Sequence, residues 1–298
     1  MIGNGGRKMK RIVLKRIVQI DAEFVKRYGD DPNVLSVFVV GSMADRRNYK
    51  ARQNNDYDIR IVVKEVTPAL LDDFEEMLRA TCKRLSDSKI CVGYSTLVAP
   101  ANHCLSEDKC NILIHALIHA ESDLRGFLPV THQYTYGKLY RIVSGEDCLA
   151  QFKDVRYTLE ELRTCHEGLL YCIDMLEKKE YRYLCWEKNG ETCDFVYHAD
   201  PLPKDVENES CFYSVNKFLW NLYNYCRFSG YTVPEERYAF AKKFLGNADA
   251  FTVFFLRYLV AKDDFAVEAL TDDVIKETLN VLYVFRERIE ETEKIFGK

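Results

Sequence analysis

The stretch "SVFVVGSMADRRNYKARQNNDYDIRIVV", Ser36 to Val63, decides the reading of this chain. An apolar run of strand length ends in Gly41-Ser42. Thirteen mostly polar residues follow, and then Asp56 and Asp58 head a second apolar run. In a strand, alternate side chains share a face, so Asp56, Asp58 and Arg60 point one way and Tyr57, Ile59 and Ile61 the other. Strand rise sets the two aspartate Cα atoms about 7 Å apart, within reach of one site. Two adjacent carboxylates repel, and a divalent cation removes that penalty. Gly41 lets backbone N–H groups approach an anion closely, and Ser42 adds a hydroxyl donor. A helix starting after Ser42 would favour an anion further.

Outward from this stretch, the first half of the chain alternates between helix and strand patterns. Ile12, Val13, Ile17, Ile20, Phe24 and Val25 recur at helical spacing between Lys8 and Tyr28. "GDDPN" at 29–33 reads as a turn, and Leu35–Val40 as a strand stopped by Gly41. Tyr57–Val63 is a second strand. A helix is expected from Pro68 to about Leu85, with Leu70, Phe74, Met77 and Leu78 as its apolar stripe. Ile90–Val98 and Asn111–Ala120 read as further strands. After about Gln151 the pattern turns helical, with stripes at Leu159–Leu176, Val215–Cys226, Phe240–Phe244, Ala250–Val260 and Val274–Phe296. The sequence therefore predicts an α+β fold: a mixed sheet with flanking helices at 1–148, then an all-helical bundle at 149–298.

Charge and cysteine usage narrow the partners. The net charge is −4, so long nucleic acid is disfavoured unless a local basic patch exists. The 11 cysteines are scattered with no C-x-x-C pair, which removes zinc-ribbon spacing. Charges interrupt the apolar positions of the opening "MIGNGGRKMKRIVLKRIVQI", so no secretory signal is expected. These features fit a reducing cytoplasm. No apolar run reaches the roughly 18 residues that span a bilayer, so no membrane partner is expected.

Gly-Ser at a strand end, followed by Asp-x-Asp on the next strand, resembles the nucleotidyltransferase superfamily with polymerase-β-type catalytic domains. "VFVV" before Gly41-Ser42 and "DYDIRIVV" after it carry the resemblance, over residues 37–63. The α/β half followed by a helical half resembles stand-alone bacterial enzymes of the aminoglycoside and lincosamide type. The resemblance implies transfer of a nucleoside monophosphate from a nucleoside triphosphate, ATP first, to a small-molecule or protein acceptor, with release of pyrophosphate. It implies that Asp56 and Asp58 hold Mg²⁺ and that Gly41 and Ser42 hold phosphates. The helical half would select the acceptor.

One part of the pattern departs from the family. A third carboxylate is expected on a later strand, yet "NILIHALIHA" contains no acid. His115 and His119 share one face of it. Glu107 and Asp108 precede it, and Glu121 and Asp123 follow. A histidine fills the position, a flanking acid reaches in, or the position is empty. A neutral His115 could serve as general base or as a metal ligand. The loop "DRRNYKAR" places Arg46 and Arg47 where they could contact a triphosphate, or simply be solvated. The competing reading is a catalytically inactive module of this fold that binds a nucleotide or a protein partner.

Overall fold

The computed structural model describes residues 5–46, 55–98, 110–124, 140–150, 159–201 and 272–296. The stripes expected at Val215–Cys226, Phe240–Phe244 and Ala250–Val260 lie outside them, as does Arg47.

Helix α1 (Gly5–Tyr28) buries Val13, Ile17, Ile20, Phe24 and Tyr28, spaced three or four apart as one helical face requires. Val25 is off that face and exposed. Strand β1 (Val34–Val40) ends at a 3₁₀ turn, Gly41–Met43, and β2 runs from Asn55 to Val63. Helix α2 (Pro68–Leu85) starts where Thr67 accepts a hydrogen bond from the Leu70 N–H and Pro68 takes the first helical position. Its stripe of Leu70, Phe74, Met77, Leu78, Cys82 and Leu85 is buried. Strands β3 (Val92–Ser95), β4 (Ile112–Ala120) and β5 (Tyr140–Gly145) complete a five-stranded sheet in the order β3-β4-β2-β1-β5.

That sheet is mixed. β1 pairs antiparallel with β2 and β5, while β4 pairs parallel with β2 and β3. Side-chain alternation divides its two faces. Val37, Val39, Tyr57, Ile59, Ile61, Ile112, Ile114, Ala116 and Ile118 form one core with α1 and α2. At about 1.5–3 kcal/mol for each large apolar side chain buried, this face supplies most of the drive to fold. Asp56, Asp58, Arg60, His115 and His119 occupy the other face. The period of two thus places the candidate site opposite the helices that stabilise its strands.

Beyond β5 come α3 (Leu159–Glu177), a β-hairpin of β6 (Glu180–Asn189) and β7 (Thr192–Pro201), and α4 (Asp272–Phe296). The hairpin corrects the all-helical expectation for the second half. Aromatic and β-branched residues on both sides of Asn189-Gly190, with Gly190 at φ 64°, favour a tight two-residue connection. The chain divides into two compact units. One holds the sheet, α1, α2 and Tyr183–His198, so a segment beyond the expected 148/149 boundary belongs with the sheet. The other holds α3 and α4, where Leu169, Ile173, Leu176, Ile275 and Leu282 are buried. No helix among the described residues is long and apolar enough to cross a membrane.

Candidate active site

The parallel register of β2 and β4 sets His115 directly beside Asp58. His115 Nδ1 lies 3.0 Å from Asp58 Oδ1, and Nε2 lies 2.9 Å from the Leu97 carbonyl oxygen. A carbonyl only accepts, so Nε2 carries a proton and donates it to Leu97. Nδ1 then faces a carboxylate either with a second proton or with a lone pair. A lone pair there can face Asp58 across a shared proton or a shared cation. Donor atoms of Asp56, Asp58 and His115 all lie within 4.8 Å of one another. Two carboxylates and an imidazole whose tautomer is fixed by a backbone carbonyl are a chemically sound donor set for a divalent metal.

Gly41 joins this cluster. Its φ is 74°, a conformation in which a side chain is strained, and a Cβ there would sit 2.7 Å from Asp58 Oδ2. The Asp58 carboxylate therefore rests against the turn that ends β1. This answers why glycine precedes the two acids: the strand end bends back at a positive φ, and a side chain there would push the Asp58 carboxylate away. The turn itself is only three residues long. A short 3₁₀ turn, and not the start of an α-helix, follows Val40, so the condition for helix-dipole support of an anion is not met at Ser42.

Arg60, on the same face of β2, is 3% exposed. Its Nη1 donates to the His115 carbonyl at 2.8 Å and to that of Ile59 at 3.1 Å, and Nη2 is 3.4 Å from Asp58 Oδ1. A role for Arg60 was not apparent from sequence, although its period-two relation to Asp58 places it beside the acids. His119 is buried one turn of the pleat further along β4. Burial first, and then the positive charge of Arg60, lower its pKa to about 3, so it is neutral near pH 7.

Arg46 is directed elsewhere. Its guanidinium hydrogen-bonds Asp21 on α1, which also accepts from the Tyr57 hydroxyl and pairs with Arg141 of β5 at 3.1 Å. Burial, followed by the Asp21 charge, raises the Tyr57 phenol well above its ordinary range. The Gly41–Met43 turn contains Ser42. Of the flanking acids, Glu121 is exposed, while Glu107 and Asp108 lie outside the described residues.

No family model matches the chain, and no curated protein matches it in sequence. Among solved structures, the chain is similar to spectinomycin adenyltransferase AAD(9) from Enterococcus faecialis, crystallised with ATP and spectinomycin. The TM-score is 0.50 and the identity 13%, over 93% of this chain and 99% of that one. The likeness is one of fold alone.

Proposed function

We propose that this protein is a divalent-metal-dependent nucleotidyltransferase, moving a nucleoside monophosphate from a nucleoside triphosphate to a hydroxyl-bearing small molecule or protein and releasing pyrophosphate. The observation that carries the reading is the convergence of Asp56, Asp58 and His115 beside the Gly41 turn. Similarity in fold to an adenyltransferase crystallised with ATP supports ATP as donor and a small molecule as acceptor. The proposed catalytic body is residues 1–148, joined by the hairpin segment, with later helices selecting the acceptor.

In this reading Asp56 and Asp58 hold the cation, Mg²⁺ in the first instance, with His115 as a third ligand. Such a cation would neutralise charge on the phosphates and on the departing pyrophosphate. Both ring nitrogens of His115 are engaged, which suits a ligand or a brace for Asp58 better than a general base. Gly41 and Ser42 are the proposed phosphate contacts. Arg46 and Arg47 are proposed to reach the triphosphate, Arg46 only by leaving Asp21.

The alternative, an inactive module of the same fold, has one observation in its favour. Arg60 and His115 already face Asp58, so the carboxylate has a guanidinium and a ring nitrogen as partners without a metal. The deciding experiment supplies each α-labelled triphosphate with Mg²⁺ or Mn²⁺ and a panel of aminocyclitols, other hydroxylated small molecules and proteins. Label entering an acceptor with the native chain, and not with Asp56→Asn/Asp58→Asn, supports the transferase. Failure to bind any triphosphate in the presence of either metal would falsify it.

A further inference from the structure

A second donor cluster lies on the β6–β7 hairpin. Cys185 and Glu187 are two residues apart on β6, and His198 stands on β7. The Cys185 thiol, the Glu187 carboxylate and a ring nitrogen of His198 lie within 4.8 Å of one another. His198 Nε2 is 2.9 Å from Glu187 Oε1, yet it is shielded from solvent and makes no hydrogen bond. The oxygen is thus close but off the axis on which an N–H would donate. Two donor atoms that converge without hydrogen-bond geometry are arranged as ligands are around a shared cation. Tyr183 stacks on the His198 ring at 4.9 Å with an interplanar angle of 11°, which fixes the ring's plane.

We propose that Cys185, Glu187 and His198 form a transition-metal site of the zinc class, distinct from the Asp56–Asp58–His115 cluster and independent of any reading of that cluster. One thiolate, one imidazole and one carboxylate are a borderline-soft set that suits zinc and leaves a fourth, tetrahedral position for water. Bonds of about 2.0–2.3 Å would bring the three donors to roughly 3.3–3.8 Å from one another, an adjustment that side-chain rotation on a hairpin can supply.

The site's place in the fold gives it a consequence. Leu184, next to Cys185, exchanges two backbone hydrogen bonds of 2.9 Å with Val98. Val98 follows Leu97, whose carbonyl holds His115 Nε2. Trp186, on the other side of Cys185, donates its indole N–H to the Ile118 carbonyl on β4 at 3.0 Å. A metal that rigidifies the hairpin therefore steadies the backbone that orients His115.

The test uses the full chain, stripped with a chelator and titrated with Co²⁺ as a spectroscopic stand-in for zinc. One equivalent should give a thiolate-to-cobalt charge-transfer band that zinc abolishes. The band should persist in Asp56→Asn/Asp58→Asn and in Cys193→Ser. It should vanish in Cys185→Ser and weaken in affinity at least tenfold in His198→Gln, both with native circular dichroism. A band that survives Cys185→Ser, or no band in the native chain, overturns the proposal. Should Cys185→Ser fail to fold, the His198→Gln titration decides: unchanged affinity there overturns it equally.

Discussion

Strand β2 carries two ionic clusters on opposite faces, built from similar parts and put to different ends. On the helix side, Tyr57 meets Asp21, Arg46 and Arg141. On the other, Asp58 meets Asp56, His115 and Arg60. The first has one carboxylate for two guanidiniums, and every group named has found a partner. The second has two carboxylates for one guanidinium and an imidazole. A cation adds nothing to the first cluster and balances the second. Charge count, more than residue type, separates a strap that ties α1, β2 and β5 together from the cluster proposed to take a metal.

Breaking the two clusters should have opposite signatures. Asp56→Asn/Asp58→Asn should lower nucleotidyl transfer by on the order of 10³-fold or more, since it removes the charge that would hold the cation. The same change should leave the thermal midpoint nearly unchanged, because relief of the repulsion between the acids offsets the loss of Asp58 as a partner for buried Arg60; a large fall in midpoint would mean these acids are structural. Asp21→Ala should do the reverse. It removes the carboxylate that pairs with Arg46 and Arg141 and accepts from the buried Tyr57 hydroxyl, and should cost about 3 kcal/mol in a denaturant titration. A loss within error would show that Arg46 and Arg141 find other partners.

Acid sharpens the contrast through His119. Its pKa of about 3 lies below the ordinary value near 6.5, so the unfolded chain binds the extra proton between those limits. The stability held in its neutral form is complete above about pH 6.5 and drains as pH falls toward 3, at about 1.4 kcal/mol per pH unit. From pH 7 to pH 5 the native chain should therefore lose about 2 kcal/mol more than His119→Leu. Equal losses in the two proteins would place the acid sensitivity elsewhere. A modest loss is expected for Gly41→Ala, about 1–2 kcal/mol for the strained backbone. Its sharper readout is divalent-metal affinity, which should fall as the new methyl displaces Asp58; unchanged affinity would separate the turn from the site.

Much of the first unit was legible in the sequence, and the reasons are local. β1, β2 and β4 are β-branched runs with clear stops, and α2 has Thr67-Pro68 to open it. The pairing of Asp56 and Asp58 needed only the strand period. What was not legible depends on pairing between distant segments. His115 could be matched to Asp58 only through the β2–β4 register, and its Leu97 partner is a backbone carbonyl with no side-chain signal. The pairing of Arg46 with Asp21 could not be read because Asp21 is far off in sequence. β5 is short and half-buried, with a weak pattern. The hairpin did carry a signal in Asn189-Gly190, but helical stripes on either side dominate the second half of the chain.

The backbone exchange between Val98 and Leu184 also bears on how molecules of this protein meet one another. β3 is the outermost strand at one margin of the sheet and is only four residues long. A bare margin of this kind offers unsatisfied amides to any passing extended chain, a second copy included. The hairpin, laid against the segment just beyond β3, occupies part of that approach. At Val98 the hairpin takes up the backbone groups that strand-to-strand self-association would use.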